Sequence, residues 1–174
     1  MNPSAPAIAL RGHHLLCVLT FCGHGYTPAF TANMAHIVAV LGSGATVRIV
    51  AGADALCAPL TPDCGVEVHC ARADVAARDR RALAVAGAAL GRRLKAGDSL
   101  RFDAATLATL RAAFADGRLR AACTACPWAD FCTATAAAGF AGARLRAEPD
   151  GDGPDKTVHE PTYSLEHDTP DADS

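Results

Sequence analysis

Thr27-Pro-Ala-Phe-Thr-Ala-Asn-Met-Ala-His-Ile-Val-Ala-Val-Leu-Gly-Ser-Gly-Ala-Thr-Val-Arg-Ile-Val50 switches periodicity within 24 residues. Thr27 suits a helix N-cap and Pro28 the first helical position, where a missing N–H costs nothing. Phe30, Met34, Ile37 and Leu41 then recur at helical spacing, and Gly42 suits the stop. After the Gly42-Ser43-Gly44 turn, Val47 and Ile49 alternate with more polar neighbours, which predicts a short strand over 46–50. A capped helix running through a tight turn into a strand predicts a mixed fold.

Outward from this unit the pattern is mostly helical. Upstream, His13 to Phe21 is apolar enough for a buried helix, stopped by Gly23-His24-Gly25. Downstream, a Cys-rich loop ends near Cys70. Asp74 caps a helix running to about Leu90, with Leu83 and Leu90 on its apolar face. Asp103 caps another, in which Leu107, Leu110 and Phe114 recur before Asp116-Gly117. The last cysteines begin a new loop. The expected class is α+β, mainly helical with one or two short strands, forming a small Cys-rich metal-binding domain.

Composition sets the limits. Of 174 residues 40 are Ala, leaving 48 larger apolar side chains, enough for one modest core. Mean hydropathy is +0.16, and no apolar run approaches the roughly 18 residues of a membrane span. Met1 to Gly12 lacks the basic and apolar regions of a secretory signal, so the expected location is cytoplasmic, without a membrane partner. The net charge of −2 hides an asymmetry: residues 1–146 carry 15 basic and 9 acidic groups, residues 147–174 carry 1 and 9. The first stretch reads as the domain. The second, rich in Asp, Glu, Pro and Gly, reads as a disordered acidic tail that aids solubility or folds over the Arg-rich core in competition with an anionic partner.

Eight cysteines are the largest departure from ordinary composition, and in a reducing compartment they point to metal or redox chemistry more than to disulfides. Cys123-Thr-Ala-Cys126-Pro-Trp-Ala-Asp-Phe-Cys132 contains a C-x2-C step whose tight turn aims two thiolates at one ion. Pro127 and Trp128 would stiffen the loop and wall off the sulfurs. These three cysteines are local; a fourth ligand must come from Cys17, Cys57, Cys64 or Cys70. Four thiolates complete a 4Fe-4S cubane, a 2Fe-2S rhomb or a tetrahedral zinc site, and one paired step with scattered partners leans toward iron–sulfur.

On a helix, His13 and His14 stand four and three residues before Cys17, placing an imidazole near the thiol. Either His then serves as co-ligand or as a hydrogen-bond donor to cluster sulfur; a His-activated nucleophile and simple packing are the other readings of Cys17. The chain contains no G-x-x-x-x-G-K-[ST], G-x-S-x-G, G-x-G-x-x-G or H-E-x-x-H motif, so no residue suggests a catalytic mechanism. Two functions compete. One is a ferredoxin-like iron–sulfur protein passing electrons to a redox partner. The other is a zinc-stabilised module whose Arg118, Arg120 and Trp128 contact nucleic acid or protein.

Read in order, Leu10-Arg-Gly-His-His-Leu-Leu-Cys17, Gly23-His-Gly-Tyr26-Thr-Pro28, Asn33-Met34, Ile49-Val-Ala-Gly-Ala-Asp54-Ala-Leu-Cys57 and Ala122-Cys-Thr-Ala-Cys-Pro-Trp128 resemble the domain of unknown function 1284 family over about residues 10–145. The resemblance implies iron–sulfur binding. It implies Cys17, Cys57, Cys70, Cys123, Cys126 and Cys132 as the family-type cysteines, with His13 and His14 beside them. Cys22 and Cys64 stand as extras. Some relatives continue from the position of Cys57 as C-x2-C-P, whereas this chain has Ala58-Pro59-Leu60 and its next cysteine at Cys64.

Overall fold

The computed structural model of the chain describes residues 7–60 and 73–147. Cys64, Cys70 and the acidic segment from residue 148 lie outside the described residues. Strand β1 (Ile8–Arg11) leads into a one-turn helix α1 (His14–Cys17), then α2 (Pro28–Gly42) and β2 (Thr46–Val50). Helix α3 (Ala73–Ala89), strand β3 (Ser99–Arg101), helix α4 (Ala104–Ala115) and helix α5 (Ala129–Ala137) follow. The class is α+β and mainly helical.

The three strands form one sheet in the order β1-β2-β3, with β1 parallel to β2 and β3 antiparallel to it. Leu10 pairs with Ile49, and Val47 with Leu100. All four side chains are buried, whereas Arg48 is exposed, so β2 turns one face to the core. Sequence reading finds only β2. The outer strands have four and three residues, too few to show an alternation, and β1 carries a fully buried arginine where a strand pattern expects an apolar residue.

The α2 expectation holds in detail: the Thr27 hydroxyl accepts from the Phe30 N–H at 3.1 Å, and Phe30, Met34, Ile37 and Leu41 are buried together with Val38. Asp103 caps α4 as expected, accepting from the Thr106 N–H at 2.7 Å. Helix α3 begins one residue before Asp74, which sits in its first turn with a charge favourable to the helix dipole. Two expectations change. The segment after His13 is helical only to Cys17, because Leu19 and Thr20 donate to carbonyls three residues back and tighten the chain into turns. The late segment expected as a loop becomes a 3-10 turn (Arg120–Cys123) followed by α5, a short Ala-rich helix without a side-chain cap to announce it.

One polar cluster ties these parts together. Arg11, 1% exposed, donates through Nε and an Nη atom to Asp79 of α3 at 2.9 and 2.7 Å. Asp79 also accepts from the backbone N–H of His13 at 3.0 Å and from its ring Nδ1 at 2.7 Å. A Cβ at Gly12 would run into the carbonyl oxygen of Asp79, so only glycine lets β1 approach α3 this closely. Asp54, following β2, accepts from the Arg11 N–H and from the ring Nδ1 of His14, both at 2.7 Å.

Burial would raise both carboxyls, but the histidine, arginine and backbone donors outweigh it and hold Asp54 below the usual range and Asp79 well below it. Their contribution to stability is therefore complete above about pH 3.9 and is lost as the pH falls through their depressed values. Asp79→Asn removes the carboxylate charge that Arg11 and His13 share in the core. It should cost about 3–5 kcal/mol in denaturant unfolding at neutral pH. Asp116→Asn, which breaks an exposed pair with Arg118, should leave the unfolding midpoint in place.

Candidate metal centre

Four cysteines from three parts of the chain line one cavity of about 100 Å³: Cys17 at the end of α1, Cys123 and Cys126 in the late turn, and Cys132 on α5. Local backbone geometry explains the late trio. The Cys126 N–H donates to the Cys123 carbonyl at 3.0 Å, closing the C-x2-C turn, and Ala125 takes φ +58° to allow it. That left-handed conformation is uncommon for a residue with a Cβ and marks a turn held by its surroundings. The next turn starts α5, where the Cys132 N–H donates to the Trp128 carbonyl at 2.9 Å. The hydroxyl of Thr20 donates to the Cys132 sulfur at 3.1 Å, joining the segment after α1 to α5.

The thiols are electrostatically coupled. Burial, and then the neighbouring Cys132, Cys126 and Cys123, push the Cys17 thiol well up. Burial likewise raises Cys123 and Cys132, against the opposing pull of Arg120 and Thr20 respectively. Four thiolates cannot accumulate here without a compensating cation. Two guanidinium groups stand nearby: Arg78 lines the cavity, and Arg120 interacts with Cys123. The buried Nε of each has no hydrogen-bond partner among the described residues.

His13 and His14 line the same cavity, their ring centroids 4.3 Å apart. Each Nδ1 is held by a carboxylate, Asp79 for His13 and Asp54 for His14. Because Asp79 stays ionised, the His13 Nδ1 must carry the proton. Burial lowers the His13 pKa despite Asp79, so the ring is neutral at neutral pH and its Nε2 keeps a free lone pair. Carboxylate-oriented imidazoles of this kind suit metal ligation or proton acceptance. Only a protonated ring can serve as the expected hydrogen-bond donor to sulfur.

Cys57, placed with the family-type cysteines, does not line this cavity. It is buried at 2% exposure beside Arg11 and Asp54. His14, Asp54 and Cys57 bring donor atoms within 4.8 Å of one another, a group that could hold an ion but whose members are already engaged within the fold. The Asp54 oxygens already accept from the Arg11, Leu56 and Cys57 N–H groups and the His14 ring, and the Arg11 guanidinium interacts with Cys57. This group serves as a polar joint. Cys22 faces elsewhere, donating to the Thr20 carbonyl at 3.3 Å. Cys70 lies outside the described residues.

The cavity wall is aromatic. Trp128 packs edge-on against Tyr26 and Phe131, with centroids 5.6 and 5.9 Å apart, and Phe131 against His24 at 5.4 Å. Tyr26 is 58% exposed at the rim. Trp128 thus does what its position after Cys126 suggests, whereas Thr20, His24, Tyr26 and Arg78 escape sequence reading. Arg78 and Asp79 sit in the charged run Arg78-Asp-Arg-Arg81, which carries no periodic signal. Arg118 is paired with Asp116, and Arg120 lies over the Phe114 ring at 5.1 Å while donating to the Ala129 carbonyl.

The family described as "Protein of unknown function (DUF1284)" matches residues 25–132. That stretch contains Cys57, Cys64, Cys70 and the three late cysteines; Cys17, Cys22, His13 and His14 precede it. No curated protein and no solved structure matches the chain. Among the described residues no helix is long and apolar enough to cross a membrane.

The left-handed turn can be tested directly. Ala125→Gly should preserve or raise stability by up to about 1 kcal/mol, whereas the β-branched Ala125→Val should lower it. Thermal unfolding of the two variants measures the difference.

Proposed function

The chain belongs to the DUF1284 family, and from that premise we propose that it is an iron–sulfur protein, with Cys17, Cys123, Cys126 and Cys132 as the cluster ligands and electron transfer to a redox partner as its role. The observation that carries this reading is the convergence of the four thiols on one walled cavity. The donor set fits: all-thiolate ligation suits iron–sulfur clusters, and two guanidinium groups with unpartnered Nε atoms suit the anionic complex that results. When bound, such a cluster supplies reversible one-electron chemistry.

The protein's own part is positioning and insulation. The Ala125 turn and α5 hold the late thiols, the Arg11–Asp79–His13 joint holds α1 and Cys17, and Trp128 and Phe131 limit the access of water. His13 offers a neutral Nε2 at the same cavity, a place to hold a proton near the centre.

Zinc on the same thiols is the second reading. Zinc would need all four sulfurs about 2.3 Å from a single ion. The nucleic-acid surface attached to that reading draws less support, because Arg118 is ion-paired with Asp116 and Arg120 is turned inward over the Phe114 ring, toward the thiols.

Anaerobic purification followed by iron, zinc and acid-labile sulfide analysis should give iron with sulfide and visible absorption. Cys17→Ala and Cys126→Ala should lose both, and Cys22→Ala should keep them. Zinc without sulfide would overturn the cluster, and equal metal content in Cys126→Ala and Cys22→Ala would overturn the ligand set.

A further inference from the structure

On the opposite side of α3 from the thiols lies a groove of about 620 Å³ between that helix, the end of β2 and the segment leading to β3. Arg80, Arg92, Arg93 and Lys95 line it, all four exposed. Its acidic wall residue, Asp79, has its carboxylate turned to Arg11 and His13 and so cannot neutralise them. Arg92 donates to the Ser99 carbonyl at 3.2 Å, and none of the four is ion-paired with a carboxylate among the described residues. Four like charges around one concavity raise a positive potential that a polyanion would relieve.

We propose that this groove is the docking site of the chain's own acidic segment, residues 148–174. Charge complementarity favours it: the segment carries nine acidic residues and one lysine. Its point of departure is fixed, because Leu145 is fully buried and its carbonyl accepts from Arg111 at 2.8 Å. Reach is ample. Twenty-seven residues span up to about 90 Å when extended, against a radius of gyration of about 15 Å for a domain of this size. Tethering supplies a local concentration in the millimolar range, so pairwise attractions that are weak individually suffice to seat the segment.

The test uses the full-length protein as purified, labelled with ¹⁵N, reading the amide signals of residues 148–174 by NMR. Arg92→Ser/Arg93→Ser should shift them at low salt. The exposed control pair Arg48→Ser/Arg118→Ser, with the same loss of charge, should not. In the unsubstituted protein the same signals should move on raising salt to about 1 M, where the screening length falls to about 3 Å. This salt titration stands even if a variant folds poorly. Tail signals indifferent to salt would overturn the proposal. So would signals that respond equally to both variant pairs, since that would show general attraction without a docking site.

Discussion

The carboxylate of Asp79 is the point on which the arrangement turns. It neutralises a guanidinium that β1 carries into the core, and it holds the backbone and ring of His13 where the chain enters α1. An arginine buried to 1% exposure is tolerable only with such a partner. Because Gly12 permits close approach, a residue on α3 thereby fixes where α1 begins, and so where Cys17 points. Asp54 repeats the device from the end of β2, holding the Arg11 N–H and the His14 ring. Sheet, α1 and α3 meet at two carboxylates.

The thiol site is the consequence of that joint meeting a second, local one. The late cysteines come together through a single turn and the first half of α5, so they need little from the rest of the fold. Cys17 does, because it arrives from more than a hundred residues away and depends on the placement of α1. The hydroxyl of Thr20 on the Cys132 sulfur fastens the two halves. This explains why the cavity is walled by aromatic side chains from both: Tyr26 follows α1, and Trp128 and Phe131 flank or begin α5. A metal bound by all four thiols would stabilise the long-range contact as well as the local turn.

What local rules govern is legible in the sequence. Thr27, Pro28 and Asp103 announced helix starts, Val47 and Ile49 a strand, and the C-x2-C step a turn, because caps, alternation and tight spacing are written in neighbouring residues. Strands β1 and β3 are too short to show a period, and the Ala and Thr residues of α5 give no apolar stripe. That Cys17 is the cysteine joining the late three at the cavity depends on how α1 packs, which no neighbouring residue announces. The resemblance groups Cys57 with the late cysteines, and the fold sets its side chain beside Arg11 and Asp54, away from the cavity that they line. The pairing of His13 with Asp79 and of His14 with Asp54 spans 66 and 40 residues and has no local signature at all.

The central claim is that one metal centre is held by four sulfurs and by no imidazole or carboxylate. X-ray absorption at the metal edge of the anaerobically purified protein tests it most directly. The account predicts an all-sulfur first shell with an iron–iron vector. A shell containing nitrogen or oxygen, from His14 or Asp54, would contradict it.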